Sequence, residues 1–467
     1  MLFSSIEFFV IFLSSVILLY FVLPKKLRNT ELLLFSLVFY AWGEPIYVLL
    51  MIFSIIMNWL FGLGIHKYDD DEKKKKLILV LSIICNLSLL GFFKYANFAI
   101  DNINAIFNAN INAINISLPI GISFFTFQAM SYVIDVYRKN ADVQPNILNF
   151  GLYISLFPQL IAGPIVRYST VAQEINERKV SFELASTGIK RFVIGLAKKV
   201  LIANSVGAVW DSIQNDTSNI SVSLAWFGAI CYMFQIYFDF SGYSDMAIGL
   251  GKIFGFNFLE NFTHPYAAKS ITDFWNRWHI SLSTWFKEYV YIPLGGNRKG
   301  KVKQIRNILI VWLLTGLWHG ASWNFVLWGL YYGVLLILEK FVLDKVLKKL
   351  PAFFQHFYAL FVVIIGWVLF AFEDMTAMGD YFKFMFGGTS FINDYTTSKI
   401  IGNIALVIIS AIASTPAPAN LAKKLISKIE NKNLVLVLEI VWYVVLFIVT
   451  FAFLVSSTYN PFIYFRF

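Results

Sequence analysis

Runs of apolar residues, each broken by a short polar connection, repeat along this chain from residue 8 to residue 454. Runs this rich in Leu, Ile, Phe and Val predict membrane-crossing helices, which satisfy every backbone N–H and C=O internally where no water reaches. Spans are expected at 8–23, 32–40, 45–65, 77–93 and 118–136, and again at 222–238, 354–372, 400–413 and 434–454. Residues 181–199 interleave Ile189, Phe192, Val193 and Leu196 with Lys190, Arg191, Lys198 and Lys199. That pattern predicts an amphipathic helix at the membrane surface, leading into a span that ends near Trp210. The run 148–166 has cations at both flanks and contains Pro158, Gly163 and Pro164. One straight crossing cannot start and finish on the same side, so this run is expected to be re-entrant or strongly kinked. The pair 307–318 and 322–338 is also bounded by cations on both outer flanks, which makes a helical hairpin with His319 at its apex. Its first arm, roughly 12 residues, would rise only about 18 Å against a hydrocarbon thickness of about 30 Å.

Charge fixes the expected sidedness. Lys25, Lys26 and Arg28, the run from Asp69 to Lys76, and the cluster Arg298, Lys299, Lys301 and Lys303 are assigned to the cytoplasm by the excess of cations on that face. The cation-free stretches 97–117 and 211–221 are assigned outside. Parity then gives about ten crossings plus two broken or re-entrant elements, with both ends outside, including a tail at 456–467. The first run lacks a charged leader and a small-residue cleavage site, so it is read as a retained span.

Composition agrees with this pattern. Of 467 residues, 58% are hydrophobic and only 14% charged, where a soluble domain carries about a quarter. Mean hydropathy is +0.66. The expected fold class is all-α: one polytopic integral-membrane domain over residues 1–467. The net charge of +10 sits in the connections, and no basic soluble domain of the kind a nucleic-acid binder needs is present. Cys85 and Cys231 fall inside apolar runs and read as packing residues.

Polar groups at membrane depth are costly and mark candidate chemistry. His319 lies in Gly316-Leu317-Trp318-His319-Gly320-Ala321-Ser322-Trp323-Asn324. An imidazole there suits proton abstraction from a hydroxyl. The flanking Gly316 and Gly320 are expected to let a substrate approach, Trp318 and Trp323 to act as walls, and Asn324 to orient groups by hydrogen bonds. His279 lies in a stretch whose helical spacing puts Trp275, Trp278, Leu282 and Trp285 on one face, with Asn276 elsewhere. The same stripe also fits interfacial anchoring. Asp239, Ser241, Tyr243 and Asp245 sit at an expected span end, where Ser244 or Asp245 can cap a new helix at 246–254 and the cluster can also serve as a polar lining. His66, His264 and His356 read as loop histidines. No G-x-S-x-G elbow, H-E-x-x-H or Cys/His metal spacing occurs, so no metal site is expected.

At 235–249 (QIYFDFSGYSDMAIG), 272–296 (TDFWNRWHISLSTWFKEYVYIPLGG) and 316–323 (GLWHGASW) the chain resembles the membrane-bound O-acyltransferase (MBOAT) family. The opening residues, 118–138 and 157–167 extend the likeness over nearly the whole chain. The resemblance is to the bacterial branch that O-acetylates alginate and peptidoglycan or D-alanylates lipoteichoic acid. It implies a ring of helices around a central tunnel in the bacterial cytoplasmic membrane. It also implies His319 as the catalytic histidine and His279 as a second signature position. Asp239, Ser241, Tyr243, Asp245, Asn276, Trp318 and Asn324 become tunnel candidates. The implied donor is cytoplasmic acetyl-CoA with no bound cofactor, the acceptor a cell-surface or secreted polysaccharide, and the partner an extracytoplasmic SGNH-type acetyltransferase. In the D-alanylating branch a small separate peptide ends in a sequence similar to 461–467 here. By that likeness Tyr464 is a candidate acyl relay, alongside the plainer reading of an aromatic terminus. D-alanylation of teichoic acid and polysaccharide transport remain the alternatives; broken helices at mid-depth would also suit a transporter.

Overall fold

The computed structural model describes residue 1, residues 3–456 and residues 461–463. Among them the regular structure is entirely helical. Among the described residues eight helices are long and apolar enough to cross a membrane, so the chain is a multi-pass membrane protein. The expected spans 32–40 and 118–136 appear as the 16-residue helices Arg28–Gly43 and Ile122–Tyr137, and the first as the shorter apolar helix Phe8–Val22, π-helical over Phe8–Leu13.

The described residues form two compact units. The first gathers Met1–Phe192 and Tyr243–Leu259. Within it the helices Tyr47–Lys67 and Glu72–Phe107 are tied by a reciprocal amide pair. Asn58 Nδ2 donates to Asn86 Oδ1 at 3.1 Å, and Asn86 Nδ2 donates back to Asn58 Oδ1 at 2.7 Å. Each amide gives its other proton to a carbonyl one turn earlier, Ser54 or Ser82, at 2.9 Å. Asn58→Leu alone would leave the Asn86 carboxamide without its partner in a dry interior. It should cost about 0.6–2 kcal/mol, with part of the loss recovered in the Asn58→Leu/Asn86→Leu double variant. Thermal unfolding in detergent reads the difference.

The expected break at 148–166 takes the form of a short helix, Ile147–Ser155, followed by buried irregular backbone. That backbone is satisfied locally: Gln159 Nε2 donates to the Tyr153 carbonyl at 2.7 Å, and Phe157 N–H donates to Ser36 Oγ at 3.1 Å.

The second unit gathers Val193–Gly242 and Glu260–Ile463. Residues 182–214 run as one helix with a π-helical turn at Lys198–Ala203. The sequence suggested a helix end near 239–247, but Val222–Ile253 is continuous. Its acids do not stop the helix because each is paired: Asp239 with Lys199, and, inside the first unit, Asp245 with Arg191 at 2.6 Å. A buried charge with a partner stays helical; a bare one would have to reach solvent.

The histidine hairpin is present as Lys301–His319 and Trp323–Leu338. Its first arm is longer than its apolar part, because the helix begins in the basic cluster at Lys301 and has 19 residues. That is about 28 Å of rise, so the short-arm expectation is corrected. The arms meet at glycines. A Cβ on Gly316 would overlap the Phe325 carbonyl oxygen, and one on Gly329 the Trp312 carbonyl oxygen. Gly316 and Gly329 permit this backbone approach, while Gly320 and Gly333 make room for the Phe325 ring and the Trp312 side chain.

Candidate active site

His319 is the last residue of its helix and is 5% exposed. Three aromatic rings stand edge-on to the imidazole: Trp318 and Trp328 at 5.1 Å and Phe370 at 5.2 Å. Such tilted contacts fix a ring in place without consuming its nitrogens. The space that sequence reasoning gave to substrate beside Gly316 and Gly320 is filled by Phe325, whose ring a Gly320 Cβ would overlap. Trp323 is not a wall either, being 53% exposed. Trp328 and Phe370 take that part.

His279 sits in a different local structure from the one its sequence suggested. Trp275, Trp278, Leu282 and Trp285 are all buried, but not along one helix. Ile271–Arg277 and Ile280–Phe286 are separate short helices, and His279 between them is left-handed at φ 45°. Asn261 makes the break. Its carbonyl accepts from Ile280 N–H at 3.0 Å, and its side-chain Oδ1 accepts from Ser281 N–H at 3.2 Å and Ser281 Oγ–H at 2.9 Å. These donors identify that end of the amide as oxygen, so the contact from His279 Nδ1 at 3.2 Å is an N–H donation. Nε2 therefore carries the lone pair. Burial pushes this imidazole down to about 3, so at neutral pH it is an uncharged base. Phe240 stands perpendicular to it at 4.7 Å.

The two histidines line one cavity of about 210 Å³. On one side Ile308, Val311, Trp312, Thr315 and His319 form a single stripe of the hairpin's first arm, at the i, i+3, i+4, i+7 and i+11 positions of a helix face. Opposite lie Trp275, Asn276, His279, Leu282, Phe286 and Lys287. The stripe runs about 16 Å along the helix axis, so the cavity is long and narrow. Glu339, buried beyond the second arm, locks the far wall. Its carboxylate accepts from Ile271 N–H at 3.0 Å and Thr272 N–H at 2.8 Å, capping the helix that leads to His279.

Of the candidate residues, the structure brings His319, His279 and Asn276 to this cavity and packs Trp318 against both histidines, 5.9 Å from His279. Asn324 is buried behind it, its Nδ2 donating at 3.4 Å to the carbonyls of Leu369 and Phe370, the latter a wall of His319. Asp239 is ion-paired, and Ser241 is buried two residues along the same helix. Tyr243 and Asp245 belong to the first unit, where Tyr243 stacks on Phe3 at 4.8 Å. Tyr464 lies outside the described residues. His264 and His356, read as loop histidines, bind backbone carbonyls at Ser414 and Ala268, at 3.2 and 2.9 Å. Sequence reasoning missed Asn261 and Glu339. The signal for Glu339 was a lone acid closing a long apolar run.

The described residues are thus all helical in their regular structure and bury two histidines on one narrow cavity. The family model for MBOAT, the membrane-bound O-acyltransferase family, matches residues 138–378, and the chain belongs to that family. It is 42% identical to a probable alginate O-acetylase of Pseudomonas syringae pv. tomato, over 83% of this chain and 75% of the relative. Identity to a peptidoglycan O-acetyltransferase of Helicobacter pylori is 36%, over 83% and 80%. A teichoic acid D-alanyltransferase of Bacillus subtilis is 30% identical, over 50% of this chain and 62% of the relative.

Proposed function

We propose that this protein passes acetyl groups from cytoplasmic acetyl-CoA across the membrane for O-acetylation of a cell-surface or secreted polysaccharide. The cavity shared by His279 and His319 carries this reading. At about 210 Å³ it is smaller than the roughly 300–1,000 Å³ of a pocket for a drug-sized ligand. It therefore suits a slender thioester arm and an acetyl group better than a sugar chain. His319 takes the proton of the acceptor hydroxyl, the oxygen bonds to the acyl carbon, and the carbon–sulfur bond breaks. The proton then passes to the departing thiolate, so the imidazole is regenerated. The imidazolium formed on the way faces the carbonyl end of its own helix, where positive charge is favoured. His279, uncharged, orients the donor through Nε2. Asn276 borders the cavity, Trp318 holds the two rings apart, and Asn324 fixes Phe370 behind His319.

In this proposal the first acceptor hydroxyl is the phenol of Tyr464, which holds the acetyl as an ester until an extracytoplasmic SGNH-type acetyltransferase moves it to the polymer. Tyr464→Phe should abolish polymer acetylation at unchanged protein level; normal acetylation in that variant would remove the relay. The reading as a whole is tested with purified protein in vesicles. Label from acetyl-CoA should enter the protein or acceptor with stoichiometric release of free CoA thiol. Transfer from a D-alanyl carrier thioester in its place would reassign the donor, and polymer transport without thiol release would sink the enzyme reading.

A further inference from the structure

Lys199 and Asp239 form an ion pair in the interior of the second unit, Nζ to Oδ1 at 2.5 Å, with side chains 2% and 3% exposed. Nothing in the transfer chemistry above uses them, and a charge pair at this depth needs a reason. Its spare hydrogen-bonding capacity is spent on one short segment. Lys199 Nζ also donates to the Pro461 carbonyl at 3.1 Å, and Asp239 Oδ2 accepts from Ile463 N–H at 2.8 Å. Between them Phe462 is 1% exposed, its ring centroid 4.6 Å from the same ammonium. Irregular backbone inside a membrane protein is stable only where protein groups satisfy it. Here one ion pair satisfies a carbonyl and an N–H two residues apart and covers the side chain between with a cation–π contact.

We propose that Lys199 and Asp239 are positioning residues that seat residues 461–463 in the helical core, and that acyl transfer depends on this seat. This rests on the acyltransferase reading above. Two sequence relations tie the seat to the site. Asp239 is followed on its helix by Phe240, the ring standing against His279. Ile463 is followed by Tyr464, the residue given the relay role. The seat also explains why the long Val222–Ile253 helix tolerates an acid in mid-course: the carboxylate is half of a receptor for another part of the same chain.

The test uses the full-length protein in detergent with two readouts. In a chain whose Cys85 and Cys231 are replaced by alanine, Phe462→Cys supplies a probe. It should react slowly with a water-soluble maleimide, and Lys199→Met should raise its rate by about tenfold or more, the loss expected for one hydrogen bond to a charged group. Ile463→Pro deletes the N–H that Asp239 accepts and lies outside the membrane-spanning helices. It should lower kcat for acetyl transfer by about tenfold or more with the donor KM unchanged; a purely structural loss would instead lower the amount of folded protein. An unchanged labelling rate in Lys199→Met would overturn the seat, and an unchanged kcat in Ile463→Pro would overturn its positioning role. Should wild-type protein transfer no acetyl, the acyltransferase reading fails, while the labelling readout still reports on the seat.

Discussion

Replacing His319 with alanine should lower acetyl transfer by about 10³-fold, in the middle of the range that a positioned general base supplies. The loss should fall on kcat, with the KM for the donor little changed, because the long cavity is lined mainly by residues that the substitution leaves in place. Folding should survive. The three rings around the imidazole have other partners besides His319: Trp328 packs on Phe370 at 5.4 Å, Phe370 on Phe325 at 5.0 Å, and Trp318 on His279 at 5.9 Å. Radiolabelled acetyl transfer by purified protein, together with a thermal melt, checks both halves. Transfer within tenfold of wild type would remove His319 from the chemistry. His319→Gln is the companion variant. It keeps volume and a hydrogen-bonding group but cannot take the proton, so it should be as inactive as the alanine form.

Gly316→Ala should do the opposite, destroying the fold before the chemistry. The added methyl meets the Phe325 carbonyl oxygen, and it would also stand only 3.3 Å from the Cα of the facing Gly329. Neither obstacle is a flexible side-chain end that could swing aside, so the hairpin arms must separate. Overpacking of this kind costs about 1–3 kcal/mol. The arms carry His319 on one side and the Glu339 anchor of the His279 segment on the other, so the damage reaches both walls of the cavity. The expected observation is a lowered melting temperature and a reduced yield of monodisperse protein on size exclusion. A variant that melts like wild type and transfers normally would show that the arms can move apart freely.

The contrast between the two glycine readings shows what the sequence could and could not convey. The hairpin, its apex histidine and the broken run at 148–166 were legible because charge parity and apolar run length act over many residues and leave a redundant record. Gly316 and Gly320 are equally visible in the sequence, yet beside His319 they read as substrate access. Only the partner helix reveals that a phenylalanine occupies that space. The break at His279 was illegible for a different reason. Trp275, Trp278, Leu282 and Trp285 keep helical spacing, and the interruption comes from Asn261, some twenty residues earlier, whose amide replaces the missing helical hydrogen bonds. Asp239 failed in the same way. An acid in an apolar run reads as an end, and its neutralisation by Lys199 is a long-range fact that no local pattern carries.

The left-handed backbone at His279 has a consequence for which substitutions this position can accept. A positive φ excludes β-branched residues on steric grounds and favours Gly, Asn, Asp and His. Burial among Phe240, Phe262 and Trp318 disfavours the charged member of that set, and the role proposed above for this position needs a lone pair on a ring nitrogen, which glycine and asparagine lack. Backbone geometry, desolvation and chemistry are three independent filters, and histidine alone passes all of them. A drifting sequence that lost the imidazole here would thus find no stepwise route back through a neighbouring residue that keeps both the turn and the function, which makes position 279 a one-residue bottleneck in the evolution of the site.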